Sequence, residues 1–468
     1  MKNFKKQTVR AVALMLVTVM LLLSLSSCKN ISKVDVIKSE NFTVSAAMIT
    51  YSLYDTYYYY RSMYGDENMK LYFGIDTEES LKEQYSDAEK GITWFDVFKT
   101  DAIDGFCNAL ALCEAAFDAG VELTDIDRKF IQSEIDEIET FAEKDGLTLE
   151  KYIKNIYGDG VKAEDIKKSL ELFRLANKMR CKIYDEVTVT TDEIKAAVDK
   201  DGDTYLKRDF IYFELTLSND STRNQKIEEY AEKINNTTTE ADFRAMVDEF
   251  VKSEYCVNLE NNKKVIKKNV QNNVPEDDKT ELDSWAFASG TVVGSSYLQK
   301  GNAAHVVYMA VTEPAKDETP TRNMYTIVFE PSVYGTMDEC KAKAEEVYAL
   351  WKNGGESLEN FKTLAAKYTT DYESVYSGGY YPNIKKADMV EALDEWLFDE
   401  KLEAGASSVI KTEHGYHIIV YAGEGEPVWK VPIIEGLIEE KTSAEVGNFV
   451  DIHEVTIVEG NMKYVKAK

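Results

Sequence analysis

Histidine and cysteine are the side chains from which metal or nucleophilic chemistry would first be expected in this sequence. The histidines are His305, His414, His417 and His453, and no two of them have the HExxH spacing of a metal site. The cysteines after residue 100 are Cys107, Cys113, Cys181, Cys256 and Cys340. Their number is odd and no two form a CxxC pair, which argues against a zinc site and a disulfide framework. We therefore predict buried thiols, no metal and no cofactor.

Cys28 is the cysteine with a distinctive sequence context. A basic segment at residues 2–10 precedes an apolar segment at residues 11–25, which is too short for a typical membrane-spanning helix but suits a signal peptide. The Leu-Ser-Ser-Cys sequence that ends at Cys28 resembles the bacterial lipobox, in which the cysteine becomes the lipidated first residue of the mature protein. We expect a lipoprotein signal peptide at residues 1–27, with the anchor at Cys28.

Composition and charge restrict the remaining classes of function. The 468 residues are 44% hydrophobic and include only 7 prolines, as in a folded protein of several domains. There are 55 Lys and Arg against 83 Asp and Glu, a net charge of −28, and no basic block follows the N-terminal segment. The charge therefore argues against a protein that binds nucleic acid through its phosphates.

The elements that would position functional residues begin with a helical domain, which we expect at residues 42–200 after a tether at 28–41. Apolar side chains recur there every three or four residues, for example in residues 98–117 and 126–141, which gives a helix one buried face. The first helix, predicted at 44–64, instead carries tyrosines on more than one face. They either pack against neighbouring helices or form a surface that binds client proteins.

After the helical domain the spacing of apolar residues changes, and the same order of strands and helices occurs twice. The copies span residues 205–313 and 322–424, and each begins with a strand, continues with helices and ends with a strand. The elements predicted in the second copy are a strand at 325–329, helices at 338–352, 358–368 and 390–399, and a strand at 417–421.

The second copy contains several short motifs. Each motif alone is weak evidence, but their order along the chain is specific. They are Asn360-Phe361, Leu364-Ala365, Tyr368-Thr369-Thr370-Asp371, Gly378-Gly379, Met389, Ala404-Gly405 and Thr412-Glu413-His414-Gly415-Tyr416-His417-Ile418-Ile419. Together they resemble the parvulin family of peptidyl-prolyl isomerases. The resemblance implies an α+β fold, in which a helical N-terminal domain is followed by two parvulin-like domains with antiparallel sheets. The first of these is degenerate, and its His305 lies near the position equivalent to His417.

Isomerisation of proline requires no nucleophile, because its barrier of about 20 kcal/mol comes from amide resonance. An apolar seat for the proline ring and polar groups that favour the twisted amide are sufficient. The resemblance implies that Met389, Leu393 and Phe398 contribute to this seat. Met389 also fits a plain role in core packing.

The same resemblance suggests the polar residues of the site. It places His417 and Thr412 in a network beneath the seat, and Asp371 or Tyr372 beside the amide. The family's first strand carries a histidine that pairs with the one at His417, but this sequence has Thr326 there. The pair of imidazoles is therefore missing, and His417 also fits a purely structural hydrogen bond.

The whole layout resembles the extracytoplasmic lipoprotein foldases of Gram-positive bacteria, the PrsA-like family, and in plan the periplasmic chaperone SurA. This resemblance implies a peptidyl-prolyl isomerase on the outer face of the cell membrane, with unfolded secreted polypeptides as partners. It also implies that residues 425–468 return to complete the helical domain, with a helix at 429–450. The alternative is an ATP-independent holdase whose parvulin-like domains bind peptides without catalysis.

Overall fold

The computed structural model describes residues 30–256, 264–272, 278–371 and 373–468. The segment 1–27, Cys28 and Tyr372 lie outside the described residues, and with them the predictions of a signal peptide, a lipid anchor and one site residue. The described chain combines helices with antiparallel sheets, so the predicted α+β class is confirmed.

Helices and strands follow one another along the chain with these bounds. The α-helices are α1 (Ala46–Phe73), α2 (Trp94–Asp118), α3 (Asp125–Lys144), α4 (Leu149–Tyr157), α5 (Ala163–Glu186), α6 (Thr191–Asp201), α7 (Ser221–Asn235), α8 (Glu240–Lys252), α9 (Glu281–Ala286), α10 (Pro331–Tyr334), α11 (Met337–Asn353), α12 (Leu358–Tyr368), α13 (Glu391–Leu397) and α14 (Val431–Ile452). The strands are β1 (Asp35–Lys38), β2 (Thr43–Ser45), β3 (Tyr85–Asp87), β4 (Ile92–Thr93), β5 (Lys207–Thr216), β6 (Ile266–Gln271), β7 (Ser296–Lys300), β8 (Ala304–Ala310), β9 (Pro320–Phe329), β10 (Tyr380–Ile384), β11 (Ser407–Lys411), β12 (Tyr416–Pro427) and β13 (Thr456–Ile457).

Helices α1 to α5 form one helical unit because their apolar faces share buried clusters. Ser45, Thr93 and Thr124 begin α1, α2 and α3, and each side chain accepts a hydrogen bond from a backbone N–H three residues later. Gly65 breaks the helical geometry inside α1 with a φ of 73°. The predicted helix at 44–64 therefore ends at this break, and the rest of α1 forms a separate tip.

Residues 31–38 correct the predicted tether, because they belong to the folded core. Val36 and Ile37 are fully buried, and β1 pairs with β2 on one side and with β13 on the other. A strand of four residues is too short to display a period in the sequence. Its partner β13 also comes from the opposite end of the chain, so no local pattern connects the two.

The C-terminal segment returns to the helical unit. Helix α14 packs against α5 and α2, and Arg180 Nη2 lies 2.6 Å from Glu439 Oε1. Lys441 Nζ lies 2.7 Å from Glu193 Oε1 on α6. After α14, strand β13 pairs with β1 and Val465 is buried in the helical core.

Two four-stranded antiparallel sheets follow the helical unit in sequence and share one topology. Their strand orders are β6-β5-β8-β7 and β10-β9-β12-β11, so the first and last strands of each unit lie at the centre. Helices α7 and α8 cover one face of the first sheet, and α11 and α12 cover the corresponding face of the second. The opposite face of the second sheet carries the candidate site.

Candidate functional site

A cavity of about 330 Å³ opens on the face of the second sheet that α11 and α12 leave uncovered. Its walls come from the second sheet, from loops, from α13 and from one helix of the helical unit. They are Phe130, Met324, Thr326, Val328, Glu330, Thr370, Asp371, Glu373, Tyr381, Met389, Leu393, His414 and His417.

The two-residue period of β9 decides which of its side chains reach the cavity. Tyr325, Ile327 and Phe329 pack into the core beneath α11 and α12, whereas the alternate residues Met324, Thr326 and Val328 line the cavity. On β12 the same alternation brings His417, which lies opposite Val328, to the cavity side. The local strand pattern therefore fixes the composition of the cavity floor.

The apolar part of the cavity is formed by Met324, Met389 and Leu393. These side chains belong to a cluster that also contains Ile384 and Leu397. Phe398 is part of this cluster, but it does not lie in the proline seat where the resemblance put it. The guanidinium of Arg322 lies 5.4 Å from the centre of its ring, and Phe398 is not among the described residues that line the cavity.

His417 and Thr412 are joined, as the resemblance implies, by a contact of 3.1 Å between His417 Nε2 and Thr412 Oγ1. The Thr412 hydroxyl also accepts a hydrogen bond of 3.2 Å from the backbone N–H of His414. Burial of the imidazole lowers the pKa of His417 to about 4, although the nearby Asp371 carboxylate opposes the shift. His417 is therefore neutral at pH 7.

Asp371 lies in the cavity and is held by two hydroxyl groups. Tyr381 Oη donates a hydrogen bond of 2.7 Å to Asp371 Oδ2, and Ser374 Oγ donates to the same oxygen. Burial raises the pKa of Tyr381, and the charge of Asp371 raises it further. The carboxylate is thus oriented by neighbours whose hydroxyls stay protonated.

Thr326 occupies the position at which the family has its second histidine. It is only 2% exposed, and its Oγ1 has no hydrogen-bond partner within the described residues. Its backbone N–H donates a bond of 2.7 Å to Gly379 O. A buried hydroxyl without a partner is costly, and this one lines a cavity that a ligand could enter.

Gly379 makes the close approach of the neighbouring loop to β9 possible. Its φ is +82°, and a Cβ at this position would lie 2.1 Å from the backbone oxygen of Thr326. The Gly378-Gly379 pair thus supplies the positive φ values expected of a turn at this place.

Phe130 is the wall residue that sequence reasoning missed most completely. It comes from α3 of the helical unit, and the guanidinium of Arg174 lies 4.8 Å from its ring centre. Leu393 supplies an aliphatic wall, and Phe130 brings an aromatic ring to the cavity from another part of the chain. No spacing within residues 360–421 could indicate this contact.

Other cavity residues that were not predicted include Glu330, Tyr381 and Met324. Glu330 and Met324 continue the period-two series of Thr326, so extending the alternation from the first strand would have found them. Burial and the charge of Asp371 raise the pKa of Glu330. His414 is exposed and stands at the cavity rim.

The equivalent face of the first sheet is filled rather than hollow. Phe210, Trp285 and Tyr297 form a series of rings whose centres are 5.5 and 5.3 Å apart. His305, predicted to lie near the position equivalent to His417, pairs with Leu215, which faces α7 and α8. Val306 holds the equivalent position, because a shift of one residue along a strand reverses the face.

Neither a metal-binding cluster nor a membrane-spanning helix is present in the part of the chain that the structure describes. No three His, Cys, Asp or Glu side chains come together there in the way that a metal ion would require. None of the helices in these residues combines the length and the apolar character that crossing a membrane requires.

Comparison with known proteins identifies one domain. Residues 312–423 match the family model of the PPIC-type PPIase domain. Among solved structures, PrsA from Bacillus subtilis is 16% identical, with 80% of this chain and 89% of that chain covered and a TM-score of 0.22. The peptidylprolyl isomerase PrsA from Bacillus anthracis is 15% identical, with 62% and 95% covered and a TM-score of 0.19. The foldase protein PrsA from Streptococcus pneumoniae is 12% identical, with 61% and 80% covered and a TM-score of 0.19.

Because these TM-scores are low, the assignment of residues 312–423 rests on their match to the model of the PPIC-type PPIase domain. A search of curated proteins finds no match to this chain.

Proposed function

We propose that this chain, whose residues 312–423 form a parvulin-type peptidyl-prolyl isomerase domain, is an extracytoplasmic foldase that isomerises X–Pro bonds in secreted polypeptides. In this proposal a lipid on Cys28 holds the protein at the outer face of the membrane, and the helical unit acts as a chaperone domain. The observation that carries the proposal is the cavity in which an apolar wall meets the polar residues Thr326, His417 and Asp371.

The proline ring would rest against Met324, Met389 and Leu393, which exclude water from one side of the amide. The unpartnered hydroxyl of Thr326 is available to donate to the amide nitrogen. That nitrogen accepts a hydrogen bond only when twisting has localised its lone pair, so this bond stabilises the twisted state over the planar ones. Neutral His417 would complete the polar floor without adding a charge next to the amide.

Isomerisation of tetrapeptide substrates tests this proposal directly. Replacing Thr326 with Val removes the hydroxyl at nearly constant shape, and we expect kcat/KM to fall about tenfold if one hydrogen bond to the twisted amide is lost. Met389→Ala should weaken substrate binding by emptying part of the wall. Thr363→Val, on the exposed side of α12, is the matched control and should leave the rate unchanged.

The proposal fails if the wild-type protein does not exceed the uncatalysed rate and only Thr326→His creates activity. Such a result would mean that the missing imidazole is indispensable, and the holdase alternative would then hold.

The holdase alternative has an observation of its own at the tip of α1. Leu71 and Tyr72 in this tip are 72% and 66% exposed, and Tyr59, before the break at Gly65, is 60% exposed, so this end of α1 presents apolar surface to solvent. Tyr57, one of the tyrosines that we considered for client binding, is instead 6% exposed and packs against Phe98.

Suppression of client aggregation tests this second function. Tyr59→Ser combined with Leu71→Ser should reduce it without changing isomerisation of tetrapeptides. Val292→Ser, an exposed apolar residue of the first sheet unit, is the control. Equal effects of the tip variant and the control would contradict a client surface on α1.

A further inference from the structure

Phe130 stands between two cavities. Phe130 lines the isomerase cavity, and it also lines a groove of about 400 Å³ along α3. The groove continues past Glu134 and Glu137 to Phe141 and Lys144 near the end of the helix. Glu330 lines the cavity and Ser332, two residues later, lines the groove, so the two spaces share Phe130 and lie close together at the start of α10.

The length of this groove suits an extended peptide. Its lining runs along α3 from Phe130 to Lys144, a rise of about 21 Å at 1.5 Å per helical residue. An extended chain advances about 3.3 Å per residue, so about six residues on one side of the proline would be accommodated. A tetrapeptide in the cavity would leave most of the groove empty.

The charge of both spaces is strongly one-sided. Glu330, Asp371 and Glu373 line the cavity, and no lysine or arginine lines it within the described residues. The groove adds three carboxylates against one lysine; its charged residues are Glu134, Asp136, Glu137 and Lys144.

Two of these carboxyl groups are only partly compensated, because the charge of Arg174 opposes the rise in pKa at each of them without cancelling it. Burial and the charge of Asp371 raise the pKa of Glu330, and burial together with the charges of Glu137 and Asp55 raises the pKa of Glu134. A cation nearby would relieve both effects.

We propose that the cavity and the groove form one continuous track for an extended polypeptide that carries lysine or arginine beside its X–Pro bond, with Phe130 as the shared wall. This inference rests on the proposed isomerase function and names the substrate class of the same site. The proline ring lies in the cavity, and the basic flank follows the carboxylates of α3. Polypeptides with acidic flanks are disfavoured because they would place like charges opposite Glu330 and Glu137.

Peptides of two lengths separate the two parts of the track. Tetrapeptides with Lys, Leu or Glu before the proline probe the cavity alone. Longer peptides carry three lysines on either side of the proline, or three glutamates in the same places, and probe the groove. We expect kcat/KM for the Lys-Pro tetrapeptide to exceed that for Glu-Pro roughly fivefold to tenfold at low salt, and the difference to shrink in high salt.

Charge reversal on α3 provides a matched comparison in the full chain. Glu137→Lys should weaken binding of the better of the two lysine peptides roughly fivefold, measured by fluorescence anisotropy. Glu139→Lys makes the same change of charge on an exposed residue of the same helix that does not line the groove, and binding should then stay within twofold. Phe130→Leu should weaken both tetrapeptides and long peptides, because its ring borders both spaces.

The outcomes distinguish this inference from the proposed function. If no peptide is isomerised faster than in buffer, the proposed function fails, whatever the binding data show. If peptides are isomerised but Lys-Pro and Glu-Pro are equivalent, or Glu137→Lys and Glu139→Lys weaken binding equally, the basic track is wrong and the isomerase remains.

Discussion

His417 is neutral at physiological pH because burial disfavours its charged form and lowers its pKa to about 4. The imidazole gains a proton only as the pH falls through that value, so His417 itself stays neutral from pH 8 to pH 6. We expect kcat/KM for a Leu-Pro tetrapeptide to be constant over that range and to fall in acid with an apparent pKa of about 4.

Variants test whether the fall of kcat/KM in acid is caused by His417. His417→Ala should lower kcat/KM about tenfold at pH 7 and abolish the titration. His453→Ala, at the end of α14, should retain both the rate and the profile. A wild-type titration near pH 6.5 that His417→Ala removes would show that His417 is not held neutral by burial.

Gly379 tests how tightly the loop before β10 is pressed against β9. Gly379→Ala places a Cβ against the backbone oxygen of Thr326 at a positive φ. Gly355→Ala has a similar φ of +90° but no neighbour within 4 Å, so it isolates the cost of the backbone conformation, about 1 to 3 kcal/mol. We expect Gly379→Ala to lower the melting temperature clearly more than Gly355→Ala. Equal melting temperatures would mean that the loop can move away without loss.

At the scale of elements, Asp127 ties α3 to α5 and so positions Phe130. Its carboxylate contacts Lys178 and accepts a hydrogen bond of 2.9 Å from Arg174 Nε, with all three side chains largely buried. Burial alone would raise the pKa of Asp127, but the hydrogen bond and charge of Lys178 hold it below its usual value. Asp127 also accepts from the N–H and hydroxyl of Thr124, which begins α3.

Removal of this carboxylate should therefore affect both stability and the site. Asp127→Ala leaves the charge of Lys178 buried without its partner, which costs about 3 to 5 kcal/mol. Tetrapeptide isomerisation should weaken as well, because α3 carries Phe130. Asp125→Ala, in the exposed first turn of the same helix, is the control for helix propensity. Loss of stability with an unchanged KM would show that the placement of Phe130 does not depend on this link.

At the scale of the whole molecule, the proposed anchor predicts where the protein is found in the cell. Cys28→Ala should leave the precursor unprocessed or release the protein into the medium, because the lipid-bearing residue is absent. Cell fractionation and the mass of the N-terminal peptide measure this. The control is Cys113→Ala, a buried cysteine of α2. Unchanged processing and membrane retention of Cys28→Ala would rule out the lipobox.

The chain ends depend on each other at this scale too. Strand β1 lies between β2 and β13, and Asn461 Nδ2 donates to Asp35 O over 2.8 Å. In the sequence, both sheet units therefore lie between the two segments that form the helical unit. This arrangement lets α3 and α5 contact the isomerase unit, where Lys178 lies 5.8 Å from the ring centre of Tyr376.

Local patterns in the sequence determined most of the elements and the floor of the cavity. The helix predicted at 358–368 is α12, because Ser357 caps its start and the apolar residues Phe361 and Ala365 are one turn apart. His417 and Thr412 are close in sequence on a hairpin, so their contact follows from the local strand pairing.

Only the tertiary structure decided the contacts between parts of the chain that are distant in sequence. Phe130 reaches the cavity from α3, β1 finds its partner at the C-terminus, and His305 faces away from the position of His417 by one residue of register. Hydrophobic burial has no direction and a strand reverses its faces with every residue. Which surfaces meet is therefore fixed by the packing of the whole chain, and local spacing carries no record of it.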